Sequence, residues 1–181
     1  HNPYMDNGIK IFDHQGYKLS VDREVELETG ILSAGNVSDP GAKRAGRIFY
    51  FHDAGRRYAD FLNAIPGRLL RQDSDKGGGH PYDDGTKLVV DCANGAVSGI
   101  AENVFPRATV LFDSPDGRNI NNGCGSEHPE TLCRQVVDQG AAAGFAFDGD
   151  GDRVIAVDEK GDVVSGDRLI IQETEVIPAL K

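Results

Sequence analysis

Asp148-Gly149-Asp150-Gly151-Asp152-Arg153 is the stretch of this 181-residue sequence that most strongly suggests chemistry. In extended backbone, side chains two apart point the same way, so carboxylates at i, i+2 and i+4 converge. The intervening glycines free the backbone to bend around an ion. Two carboxylates ~4 Å apart repel by about 4 kcal/mol at an effective dielectric near 20. Three together must splay into water, take up protons, or share a hard cation with oxygen ligands. The apolar run Ala143–Phe147 just before them anchors the loop and argues against splaying. Arg153 offers a planar fork suited to phosphate; a simple ion pair with one of the Asp residues is the plainer use of it.

The same spacing would fit the first, third and fifth ligands of an EF-hand calcium loop, with Glu159 at the twelfth place. That motif needs glycine at its sixth place, where Arg153 stands, and helices on both sides. Here the flanks, Ala143–Phe147 and Val154–Val157, read as strands.

The elements that position this loop can be read from residue 87 onward. Lys87–Val90, Ala108–Phe112 and Ala143–Phe147 are short buried-type strands. Pro129 suits the first turn of a helix whose apolar face is Leu132, Cys133, Val136 and Val137, with Gly140 ending it. Val154–Val157 and Val163-Val164 read as a hairpin around a turn at Asp158–Gly161. Asp167 is placed to cap a final helix through Ile171. Helix–strand alternation predicts an α/β sandwich with the Asp loop at the C-terminal end of a strand, where open α/β sheets bind ligands. Asp91-Cys92-Ala93-Asn94-Gly95-Ala96 matches neither G-x-G-x-x-G nor a P-loop. It reads as a structural turn in which Asn94-Gly95 bends the chain and small residues allow close packing.

Upstream, Ile9–Phe12, a turn at Asp13–Gly16 and Tyr17–Leu19 suggest a small hairpin, and Asp22 could cap a helix running to about Leu32. Residues 33–47 read as loop. Asp53 is an N-cap candidate for a helix with Tyr58, Phe61, Leu62 and Ile65 on one face, stopped by Pro66-Gly67. Residues 71–86, polar and containing Gly77-Gly78-Gly79, read as a linker between domains.

Composition narrows the partners. Lys plus Arg is 19 and Asp plus Glu is 29, a net charge of −10. Without a basic run, nucleic acid and anionic membranes are excluded as partners. No apolar run approaches the ~20 residues that span a bilayer. Cys92, Cys124 and Cys133 fit neither a zinc site nor a disulfide framework, and the simplest setting is a reducing cytoplasm.

Taken together, the motifs resemble the α-D-phosphohexomutases. Asp148–Arg153 is similar to their metal loop, His1-Asn2-Pro3-Tyr4-Met5-Asp6-Asn7-Gly8-Ile9-Lys10 to the segment after their phosphoserine, and Asp91–Ala96 to the opening of their second domain. Asn119-Ile120-Asn121, Cys124-Gly125-Ser126 and His128-Pro129-Glu130 resemble the phosphoglucosamine mutase branch. The resemblance implies a three-layer α/β sandwich at 87–181, the linker at 71–86, and at 1–70 the C-terminal part of a preceding α/β domain. It implies interconversion of glucosamine 6-phosphate and glucosamine 1-phosphate through a phosphoserine and a bisphosphorylated sugar. Mg²⁺ would be held by Asp148, Asp150 and Asp152; Lys10 would be the general acid/base, His1 the residue beside the serine, and Arg153 a group near the transferring phosphate. The phosphorylated amino sugar would be the partner. The serine itself would lie immediately before His1, and the sugar-reading loop and distal phosphate-binding domain beyond Lys181, so the 181 residues alone are expected to be inactive. Another hexose phosphate as substrate, sugar-phosphate binding without catalysis, and a calcium-binding module are the alternative readings. Oligomeric state has no signal in the sequence.

Overall fold

The computed structural model describes residues 2–6, 8, 10–34, 47–69 and 85–168, the side chains of 66–69 excepted. The chain divides into two compact units, residues 7–51 and residues 1–6 with 52–181.

In the smaller unit, Asp13 organises a tight turn. Its Oδ1 accepts the N–H groups of Gln15 and Tyr17, at 2.8 and 3.0 Å. Its own N–H donates to the Tyr17 carbonyl at 2.8 Å, and Gly16 takes the left-handed φ of 86° that closes the turn. The expected hairpin is reduced to one antiparallel bridge, Phe12 to Lys18. Helix α1 (Val21–Ser33) follows. Ser20, not Asp22, is its N-cap; Asp22 and Glu24 sit in the first turn, where negative charge faces the helix dipole. No residue of α1 is buried, consistent with its irregular apolar spacing.

In the larger unit, helix α2 (Ala54–Leu69) starts where expected, with the Asp53 carbonyl accepting the Arg57 N–H at 2.9 Å. It does not stop at Pro66-Gly67 but runs to Leu69. A proline so near the end forfeits a single backbone bond and leaves the earlier turns intact. The expected loop at 33–47 and the linker at 71–86 lie largely outside the described residues.

The sheet is built from β1 (Leu88–Asp91), β2 (Thr109–Leu111), β3 (Ala143–Phe147), β4 (Val154–Asp158) and β5 (Val163–Val164). Their order is β2-β1-β3-β4-β5. β1 pairs in parallel with both β2 and β3, while β3–β4 and β4–β5 are antiparallel. The topology follows from the connections. β1 to β2 and β2 to β3 pass through helices, as parallel strands require, whereas β3 and β4 are joined by a short loop that permits only an antiparallel return.

Two apolar clusters, one per sheet face, make three layers. Val89, Ala146 and Val157 pack with Leu132 and Val136 of α4 (Glu130–Gln139). Val90 and Cys92 pack with Val97 and Ala101, from a 3-10 turn (Ala96–Gly99) and the short helix α3 (Ala101–Val104). Gly144 on β3 lets α4 approach: a Cβ there would lie 2.6 Å from Val136 Cγ2 and 2.8 Å from Leu132 Cδ1. Pro129 is the N-cap of α4, one position before its expected place in the first turn. Gly140 ends the helix at φ 58°, its N–H and that of Ala141 returning to Val137 and Val136. α2 rests on α3, with Asn63 Nδ2 donating to the Asn103 carbonyl at 2.9 Å. The Asp158–Gly161 turn forms as expected, Asp158 Oδ1 accepting from Lys160 and Asp162 at 3.0 Å each. These two backbone donors, the Asp162 N–H foremost, hold the Asp158 carboxyl below its ordinary range. The expected last helix opens at 166–168, which puts Asp167 inside its first turn and not at the cap; the remainder lies outside the described residues. Among the described residues no helix is long and apolar enough to cross a membrane.

Candidate metal centre

Residues 148–153 connect β3 to β4, with Phe147 paired to Val154 across the base. The flanks are strands, so the helices of an EF-hand are absent here. Oxygen atoms of Asp148, Asp150 and Asp152 all lie within 4.8 Å of one another. Asp148 is buried and the other two are exposed. The backbone explains the difference. Arg153 N–H donates to Asp148 Oδ1 at 3.1 Å, and Gly151 N–H donates to the Asp148 carbonyl at 3.0 Å. Asp148 is thereby fixed at the strand end, while Asp150 and Asp152 extend from the bend. Hard oxygen donors grouped in this way suit a divalent cation. Gly151, at φ 74°, makes the turn.

The loop is braced from two sides, by the Asp91–Ala96 turn and by the segment around Asn121. From one side, the Ala96 N–H donates to the Gly149 carbonyl at 2.8 Å. The approach is so close that a Cβ on Gly95 would sit 2.2 Å from that carbonyl oxygen. Gly95 itself has extended backbone (φ −116°), so space, not conformation, demands glycine. From the other side, Ile120 and Asn121 cover Gly149, leaving a Cβ there 2.6 Å from Asn121 Nδ2. The reading of Asp91–Ala96 as a structural turn stands, with the addition that it forms one wall of the acidic loop. The legible signal was the clustering of small, Asn and Gly residues at 93–95 and 119–125, which left-handed backbone favours: Ala93, Asn94, Asn121, Gly123 and Gly125 all have positive φ.

Asp91 underlies both walls. Fully buried at the end of β1, it accepts the Ala93 N–H on Oδ1 at 2.8 Å and the Gly125 N–H on Oδ2 at 2.9 Å. Burial pushes its carboxyl above the ordinary range, against the pull of those two donors. Gly125 lies over the Phe147 carbonyl, which also accepts the Ser126 N–H at 3.0 Å. Sequence reasoning singled out no role for Asp91. Its sign is a carboxylate at the end of an apolar strand.

Arg153 carries an exposed guanidinium loosely paired with Asp152, Nε to Oδ1 at 3.9 Å. Lys10 lies in the smaller unit, on a cleft of about 740 Å³ that Phe12, Leu27 and Ile31 also line. His1 falls outside the described residues. In the larger unit, a second cleft of about 530 Å³ runs between α2 and the acidic loop, from Tyr58 and Leu62 to Phe147 and Asp150. The three cysteines are free thiols. Burial raises Cys92 to about 12 and Cys124 to about 11, so both stay protonated at neutral pH.

Residues 59–161 match the family described as phosphoglucomutase/phosphomannomutase, alpha/beta/alpha domain II. Phosphoglucosamine mutases of Syntrophus aciditrophicus, Desulforudis audaxviator and Desulforapulum autotrophicum are 47, 46 and 41% identical to it over 94% of the chain. The chain spans 36 to 38% of the length of these relatives. A crystal structure of a phosphoglucomutase/phosphomannomutase family protein from Burkholderia thailandensis superposes with a TM-score of 0.60, at 24% identity, over 89% of this chain and 32% of that one, and supports the fold. With its acidic loop held at the end of a sheet of this kind, the chain belongs to the phosphoglucomutase/phosphomannomutase family.

Proposed function

We propose that these residues form part of a phosphoglucosamine mutase, a phosphotransferase that moves a phosphoryl group between the 6 and 1 positions of glucosamine. The observation that carries the reading is the grouping of Asp148, Asp150 and Asp152 on a strand-anchored loop within the domain II match. The names and 41–47% identities of the relatives favour glucosamine phosphate over other hexose phosphates.

Mg²⁺ fits the donor set: three carboxylates, one buried and two exposed, would leave coordination places for a substrate oxygen or water. Bound there, the ion would neutralise charge on a transferring phosphoryl group. The chain's own residues prepare that place. The Arg153 backbone N–H orients Asp148, and its guanidinium extends into solvent beside the cluster, available to a phosphate. Lys10 is assigned as general acid/base, and His1 as neighbour of the phosphorylated serine, on the resemblance of residues 1–10 to the segment after that serine. The 181-residue polypeptide by itself is expected to show no turnover, since no serine in it sits in the nucleophile motif of the resemblance.

The test joins this chain to the flanking regions of the Syntrophus aciditrophicus relative. Glucosamine 6-phosphate should be converted faster than glucose or mannose 6-phosphate, and Asp148→Ala with Asp150→Ala should abolish conversion. A folded chimera that turns over none of these sugars would overturn the mutase reading; preference for mannose or glucose would overturn the substrate.

A further inference from the structure

Asn121 stands where three segments meet. Its backbone is left-handed, φ 56°, and its N–H donates to the Ala93 carbonyl at 3.0 Å. Its side chain lies over the bare α-carbon of Gly149 in the acidic loop. The same Nδ2 donates to the Asn2 carbonyl at 2.9 Å, across 119 positions of sequence. The segment it reaches is a small turn, closed by the Asp6 N–H on the Pro3 carbonyl at 3.0 Å. All of these residues belong to one compact unit.

We propose that Asn121 is a positioning residue that holds residues 2–6 in register with the 148–153 loop. Asparagine meets both demands of the place. It tolerates left-handed backbone better than other residues with a side chain, and it projects a short amide donor. Glycine would satisfy the backbone and supply no donor. Aspartate would keep the shape but set an acceptor against the Asn2 carbonyl. What the link means for catalysis rests on the function proposed above: where residues 2–6 follow the phosphorylated serine, the bond fixes that serine's approach to the metal ligands. Asn121 then acts through its neighbours and touches no reacting atom.

The experiment uses the ¹⁵N-labelled chain as wild type, Asn121→Gly and Asn121→Asp. The glycine variant relieves the backbone and removes the donor; the aspartate variant preserves volume and guards against a folding defect. Without metal, exchange of the Asp6 amide should accelerate about tenfold in both variants, the loss of about one hydrogen bond. With Mg²⁺, the wild-type amides of Asn2, Tyr4, Met5 and Asp6 should shift together with those of 148–153, and in both variants only the 148–153 amides should still respond. A general loss of structure would not separate the two segments in this way. Wild-type exchange at Asp6 in both variants, or an undiminished Mg²⁺ response of residues 2–6, overturns the proposal. If Mg²⁺ moves no amide at 148–153 in the wild type, the metal assignment fails, and exchange at Asp6 alone decides the role of Asn121.

Discussion

Replacing Gly95 with alanine should disturb the acidic loop directly, weakening metal binding as well as the fold. The new Cβ would lie 2.2 Å from the Gly149 carbonyl oxygen and 2.7 Å from its Cα, where ordinary contact begins at 3.4 Å. A separation of about 1 Å must open, and the obstruction is backbone, with no side-chain end to swing away. That opening breaks the Ala96 N–H bond to Gly149, worth about 1 kcal/mol. Overpacking adds about 1–3 kcal/mol, for a total of roughly 2–4 kcal/mol. Gly149 lies between Asp148 and Asp150, so its retreat changes the spacing of the ligands themselves. Weakening of Mg²⁺ binding by about 10–100-fold is expected, as for loss of groups that orient metal ligands. Calorimetric Mg²⁺ titration and thermal melts of wild type, Gly95→Ala and two controls separate the effects. Gly99→Ala, with nothing within 4 Å of its Cβ, should leave both measurements unchanged. Gly144→Ala, which collides with Leu132 and Val136 away from the loop, should lower the melting temperature and leave Mg²⁺ affinity intact. Binding by Gly95→Ala within twofold of wild type would refute the claim that this contact sets the ligand spacing.

Leu132→Ala empties the centre of the α4-facing cluster and should cost about 2–5 kcal/mol in urea unfolding, with a loss under 1 kcal/mol counting against that core assignment. Because burial raises the Asp91 carboxyl, the native state holds more protons than the unfolded chain between the unfolded pKa near 4 and the higher folded value. The stability Asp91 contributes is therefore fully present below about pH 4 and is lost as pH rises through the folded value, so the advantage of wild type over Asp91→Asn should shrink from acid toward neutral pH; a growing advantage would mean the backbone donors outweigh burial. Iodoacetamide on the native protein should label half-buried Cys133 ahead of buried Cys92 and Cys124, as read by mass spectrometry, and early labelling of Cys92 would contradict its place in the core.

The strands around the acidic loop were legible because each is a short apolar run bounded by turn residues, and Ala143–Phe147 was placed to the residue. The grouping of Asp148, Asp150 and Asp152 was legible because two-residue spacing has a geometric meaning that survives most backbones. What encloses the loop was not. The contacts of Gly95 and Asn121 with Gly149 join residues 28 or more positions apart, and no local pattern encodes which turn will press on which. The first helix shows the same limit from another side. Its N-cap moved from Asp22 to Ser20 because acidic residues suit the first turn as well as the cap.

The loop between β3 and β4 also fixes a length. It spans six residues, closed by the pairing of Phe147 with Val154. β3 is held by β1 along its other edge, and β4 by β5. Inserting one residue would leave two outcomes. Either β4 slips by one position, moving Val157 off the α4-facing cluster and onto the opposite face of the sheet, or the extra residue bulges among the carboxylates. Most surface connections drift freely in length as proteins diverge. Here the connector is also the ligand set, so variation should enter by substitution and not by insertion, and a gap at 148–153 in any related sequence would mark a chain that has given up the site.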